Sequence, residues 1–137
     1  MVQAADNNLS FTSKTENLTL VESLVDSICE QFKINEDHYG NILVAVTEAV
    51  TNAIQHGNKY NPDKSIDVSF AQHAKGLSFI VKDQGEGFDF TNLPDPTDPE
   101  NIEKPHGRGI FLMRHLADKV EFEDNGRIVA LNFNVAS

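Results

Sequence analysis

With 137 residues and 39% apolar content, the chain has material for one domain with its own core and not for two. No apolar run approaches the roughly 18 residues that span a bilayer, and the opening MVQAADNNLSF has neither a basic nor an apolar leader region, so a cytoplasmic protein is expected. A formal charge of −10 with no Lys/Arg cluster repels phosphate backbones and anionic lipid, so neither nucleic acid nor a membrane is an expected partner.

Residues 1–8 read as a disordered polar tail, with a single domain from 9 to 137. Alternation over Leu9 to Ser13 predicts a short edge strand. A first helix is expected from Asn17 or Thr19 to Phe32, with Leu20, Val21, Leu24, Val25 and Ile28 at helical steps. Cys29 falls on that apolar pattern, which makes it core filling, and as the single cysteine it can form no internal disulfide. Asn35 is placed to cap a second helix, with Glu36 and Asp37 in its first turn, where the helix dipole favours acids.

That second helix, from about Glu36 to Gly57, carries two stripes. Tyr39, Ile42, Leu43, Val46, Val50, Ala53 and Ile54 repeat at three- and four-residue steps and must face a core. Glu48, Asn52 and His56 follow one another at four-residue intervals, so a carboxylate, a carboxamide and an imidazole share one drifting line. Taken alone, such a line is an ordinary solvated face.

After the turn-forming Asn58 to Lys64 the period changes to alternation. Ile66, Val68 and Phe70 mark one strand and Leu77, Phe79 and Val81 the next, with a reversal at Ala74-Lys75-Gly76. Asp83 ends that strand and is followed by Gly85 and Gly87, glycines that let backbone approach a ligand closely, although Asp and Gly are also common turn residues. From Phe88 to His106 neither period fits; a structureless stretch of this length in a small domain suggests an active-site lid. Gly107-Arg108-Gly109 then opens an apolar helix ending near Leu116, where free N–H groups and the positive dipole end suit phosphate. With no βαβ unit around it, this glycine pair is not a dinucleotide turn. A last hairpin is marked by Asp124-Asn125-Gly126, read as two-residue-turn chemistry, between Val120, Phe122 and Ile128, Val129, Leu131, Phe133. The order predicts an α+β, two-layer sandwich: a mixed, mainly antiparallel sheet with helices on one face.

Three motifs in this order, with the expected lid segment between the glycine pairs, carry a resemblance that covers about residues 9 to 134. The sequence resembles the Bergerat, or GHKL, ATP-binding domain shared by gyrase, sensor histidine kinases and MutL, and within it the short bacterial anti-sigma-factor serine/threonine kinases. Glu48 to Gly57 matches the N box, Asp83-Gln-Gly85-Glu-Gly87 the G1 box, and Gly107-Arg108-Gly109-Ile110 the G2 box. By position, the resemblance implies that Asp83 accepts from the adenine amine, Asn52 holds Mg²⁺ and Glu48 is the catalytic base. Gly85, Gly87, Gly107, Arg108 and Gly109 would cradle ATP.

The resemblance further implies a sigma factor and an anti-sigma antagonist protein as partners, and a homodimer. The shortness of the chain disfavours a sensor histidine kinase. The competing readings are a non-catalytic ATP-binding module that only grips a partner, and an acidic interaction domain without nucleotide. His56 has no assigned role and reads as a cationic cap at the helix C-terminus ahead of a ligand contact, and Phe88 and Phe111 read as packing residues ahead of adenine stacking. One position departs from the family pattern: a Thr or Ser pair often follows the glycine that opens the final strand, whereas Gly126 is followed here by Arg127-Ile128-Val129. The hydroxyl contact near the adenine pocket is therefore not carried over.

Overall fold

The computed structural model describes residues 8–85 and 105–135, with only the backbone described for 105–109 and 125. The predicted segment Phe88 to His106 lies almost wholly outside them, as do Gly87 and the first seven residues of the tail.

Eight elements follow in chain order: strand β1 (Asn8–Thr12), helices α1 (Leu18–Gln31) and α2 (Glu36–Asn52), strands β2 (Ser65–His73) and β3 (Gly76–Lys82), helix α3 (Pro105–Leu116), and strands β4 (Lys119–Glu123) and β5 (Ile128–Asn134). The sheet order is β1-β2-β3-β5-β4, and each of its four pairings is antiparallel. The architecture is α+β.

Register explains the core. Val68, Val81 and Val129 stand opposite one another across three strands, and so do Phe70, Phe79 and Leu131. Because side chains alternate along a strand, both rows point to the same face, and all six residues are buried. Phe32, Phe70, Phe79 and Phe133 form a chain of ring contacts with centroids 5.5, 5.5 and 6.3 Å apart. The helices cover this face through their predicted stripes: Val21, Val25, Ile28 and Cys29 of α1, and Ile42, Ala45, Val46, Ala49 and Val50 of α2, are buried. The Asn35 side chain caps α2 by accepting from the His38 N–H at 3.0 Å.

Two expected local geometries differ. The second helix is α-helical only to Asn52; Ala53–Gly57 widens into a π turn, closed by the Asn58 N–H donating to the Ala53 carbonyl at 2.8 Å. The last hairpin has no two-residue turn. Glu123 pairs with Ile128, which leaves Asp124 to Arg127 as a four-residue connection with Asp124 at φ 52° and Gly126 at φ 87°. The extra length turns Arg127 toward the end of β3, where both its carbonyl and its guanidinium are engaged.

Candidate functional site

The site begins where α2 ends. The π turn shifts the chain outward by a residue and drops Asn58 into the interior, where it is 1% exposed. Its Oδ1 accepts from the Gln84 N–H at 2.7 Å, and its Nδ2 donates to the Ser13 hydroxyl and to the Ser65 carbonyl at 2.9 Å. Gln84 answers by accepting from the Ser65 N–H at 2.7 Å. One buried carboxamide thus ties the end of the N-box helix to the chain after β1, to the start of β2 and to the turn after β3. Sequence reasoning placed Asn58 in a turn-forming connection and missed this role; its residue type is as suited to a turn as to a buried hub.

The turn after β3 is pressed against the same helix end. A methyl group at Gly57 would lie 2.4 Å from the Asp83 Oδ2, and one at Gly85 would lie 1.9 Å from the Gly57 carbonyl oxygen. Protein packing therefore requires glycine at 85, where a side chain would run into Gly57 backbone, while a side chain at Gly57 would displace the Asp83 carboxylate. Asp83 is buried beneath this contact, and its Oδ1 accepts from the Gly85 N–H at 2.8 Å. Burial raises its pKa, partly offset by that hydrogen bond and by the cations Arg127 and Lys64, while Asp124 adds to the rise. On the other side of the turn, the Asp83 N–H donates to the Arg127 carbonyl at 2.9 Å and the Arg127 Nε–H donates to the Gly85 carbonyl at 2.6 Å.

Beside the turn lies a narrow cavity of about 20 Å³, lined by Asn52 from the end of α2, His56 and Gly57 from the π turn, Ile110 and Met113 from α3, and Phe122, Gly126 and Val129 from the last hairpin, among others. That is room for about one water. Asn52 and His56 thus reach the cavity, whereas Glu48, half-buried one turn earlier, is not part of its lining. The Asn52 Nδ2 is buried and has no hydrogen-bond partner among the described residues. Burial lowers the His56 pKa, so near neutral pH the ring is an uncharged wall of the cavity. This corrects the expectation of a cationic helix cap.

Gly107, Arg108 and Gly109 fall inside the helical backbone of α3, which starts at Pro105, a residue suited to the first helical position. Pro105 has no N–H, so the free N–H groups of that helix end include those of His106 and Gly107, the first glycine of the pair. Phe111 is 44% exposed and stacks on His115, with centroids 6.2 Å apart. Phe88 lies outside the described residues. A wider depression of about 690 Å³ at the α1–α2 junction is lined by Asp26, Cys29, Glu30, Ile34, Glu36 and Tyr39, away from these motifs. Burial, with Asp26 nearby, pushes the Cys29 thiol up to about 11, which leaves it protonated and inert.

Residues 11–133 match the histidine kinase-like ATPase domain. The chain belongs to that family. Its relatives include the serine-protein kinase RsbW of Halalkalibacterium halodurans, 31% identical over 130 residues that cover 90% of this chain and 79% of that protein. The anti-sigma F factor of Priestia megaterium is 31% identical over 121 residues, covering 85% and 81%. A solved structure of the RsbU and RsbW domains of Rv1364c from Mycobacterium tuberculosis superposes with a TM-score of 0.64 over 95% of this chain, at 14% identity, and shares the fold. This chain spans 33% of that one. No helix among the described residues is long and apolar enough to cross a membrane.

Proposed function

We propose that this histidine kinase-like ATPase domain is an ATP-dependent serine/threonine protein kinase that acts as an anti-sigma regulatory factor in the cytoplasm. It phosphorylates a small anti-sigma antagonist protein and sequesters a sigma factor, as a homodimer. The names carried by its relatives, serine-protein kinase and anti-sigma F factor, support the class.

The observation that carries the reading is the meeting of two motifs distant in sequence. Half-buried Asn52, whose Nδ2 is buried and has no hydrogen-bond partner among the described residues, lines a cavity that Gly57 also lines, and Gly57 packs on buried Asp83. A carboxamide presents an oxygen and a nitrogen that exchange places by a half-turn, so Asn52 fits a hard cation as well as a polar ligand. Asp83, held by the Gly85 N–H on one oxygen, keeps acceptor capacity for an exocyclic amine. Adenine offers that amine where guanine presents a carbonyl. Gly107, Arg108 and Gly109 contribute the phosphate cradle, and Gly85 and Gly87 let the backbone after Asp83 come close to the nucleotide.

In the reaction, Glu48 orients and takes the proton of the attacking Ser or Thr hydroxyl. Asn52 would hold Mg²⁺, which when bound neutralises phosphate charge. Two substitutions test these roles. Glu48→Gln keeps size and hydrogen bonding but removes the base, so ATP binding survives while phosphorylation of the antagonist falls by about 10²–10⁴-fold. Asn52→Ala weakens magnesium-dependent ATP binding itself. Normal phosphorylation by Glu48→Gln would remove the catalytic role and favour a protein that binds ATP only to grip a partner.

A further inference from the structure

The last hairpin reaches the site through one residue, the Arg127 that follows Gly126. Arg127 makes two bonds of opposite sense to the turn after β3: its carbonyl accepts from the Asp83 N–H at 2.9 Å, and its Nε–H donates to the Gly85 carbonyl at 2.6 Å. Its Nη1 reaches the Asp124 carbonyl at 3.3 Å and the Asp124 carboxylate at 3.4 Å. The guanidinium is therefore held from its own loop while it holds the turn. Main chain and side chain together fix the residues on both sides of Gln84, and with them the direction of the Asp83 carboxylate. We propose that Arg127 is the positioning residue of the adenine-recognition turn, bracing Asp83 and Gly85 through these two bonds without touching the base or the phosphates. The inference rests on Asp83 as the adenine acceptor.

The chemistry of the side chain suits this task. A planar guanidinium donates in fixed directions and keeps its charge at every physiological pH, so its hydrogen bond to a carbonyl is charge-assisted and directional. The same cation favours the ionised form of Asp83, the better acceptor, against the burial that opposes it. The other groups that act on Asp83 are Lys64 from the connection before β2, Asp124 beside Arg127, and the Gly85 N–H. His56, next in sequence to the Gly57 that packs on the carboxylate, is held neutral by burial and supplies no competing charge near pH 7. Removal of Arg127 thus leaves Lys64 as the remaining named cation against Asp124.

The test has a nucleotide-free arm and a binding arm. In the first, the Asp83 side-chain carboxyl carbon is followed by NMR through a pH titration of the apo protein. In the second, affinities for ATP and for adenosine, which has no phosphates, are measured by NMR or calorimetric titration. For Arg127→Ala, the Asp83 titration moves to higher pH, and affinity falls about tenfold or more for both ligands alike, the size of one lost charged hydrogen bond. Arg127→Lys retains the charge but not the directed Nε donor; it restores most of the wild-type titration and only part of the affinity, and it decides the matter if the alanine variant does not fold. A wild-type Asp83 titration and wild-type affinities in Arg127→Ala would overturn the proposal. So would a loss confined to ATP, which would make the guanidinium a phosphate contact, or full wild-type affinity in Arg127→Lys. A wild-type protein that binds neither ligand would overturn the reading of Asp83 and this proposal with it, whereas wild-type binding lost in Asp83→Asn but unchanged in Arg127→Ala would overturn the brace alone.

Discussion

Replacing Asn58 by alanine is expected to damage the fold and the site together. The side chain is 1% exposed and makes three hydrogen bonds, to the Gln84 N–H, the Ser65 carbonyl and the Ser13 hydroxyl. Each is worth about 0.5–1.5 kcal/mol net, and a buried group left without a partner costs about 1–3 kcal/mol. Part of the loss is recovered where water reaches Gln84, which is exposed. A destabilisation of about 2–4 kcal/mol follows, a large share of the roughly 5–15 kcal/mol of an ordinary domain. Urea unfolding followed by circular dichroism measures it. Asn58→Asp should do no better, because it keeps the acceptor for Gln84 but loses both donations and buries a charge. A double-mutant cycle with Ser13→Ala should show coupling of at least about 0.5 kcal/mol, since the two side chains touch. A loss below about 0.5 kcal/mol for Asn58→Ala, the level of an ordinary surface substitution, would refute its role as a hub.

Three further outcomes follow from the same geometry. Gly85→Ala places a methyl 1.9 Å from the Gly57 carbonyl oxygen, which cannot give way as a flexible side chain can, so it should unfold at markedly lower urea and bind nucleotide poorly; wild-type behaviour would mean that the two turns are not in contact in solution. The Asp83 pKa is raised in the fold, so between the unfolded value near 3.8 and the folded one the native state binds more protons, and stability falls as pH rises through that window. The stability of Asp83→Asn relative to wild type should therefore increase with pH across the window and then level off, and a pH-independent difference in urea unfolding would contradict the burial of the carboxylate. Cys29, buried and with its thiol pushed up to about 11, should react slowly with a thiol reagent at pH 7–8 in the native protein and rapidly in urea; equal rates would place it at the surface.

Most of the fold was legible because it is written in period. The stripes of α1 and α2, the alternation of β2, β3 and β5, and the Asn35 cap each depend on residues within a few positions of one another. The features missed arise from contacts between distant segments. Asn58 is buried because the Gln84 amide, 26 residues on, needs an acceptor, and the last hairpin is longer than its Asp-Asn-Gly signal because Arg127 bonds to Gly85, 42 residues away. The π turn is invisible for another reason: over five residues its side-chain pattern cannot be told from that of an α-helix. At the site, spacing put Glu48, Asn52 and His56 on one drifting line. Neither that Asn52 and His56 alone of the three reach the cavity nor that burial neutralises His56 follows from spacing. Asp83 stood at a strand end in both sequence and structure, but its burial comes from glycine packing that no local pattern encodes.

The most direct measurement is an isothermal calorimetric titration of the wild-type protein and Asp83→Asn with ATP, each with and without magnesium. A site in which Asp83 selects adenine and Asn52 holds the cation gives magnesium-dependent ATP binding by the wild type, no comparable binding of GTP, and a loss in Asp83→Asn of about 1.5–3 kcal/mol, tenfold to beyond a hundredfold in affinity. Equal ATP affinity in the two proteins, or equal affinity of the wild type for ATP and GTP, would contradict the adenine site at the junction of α2 and β3.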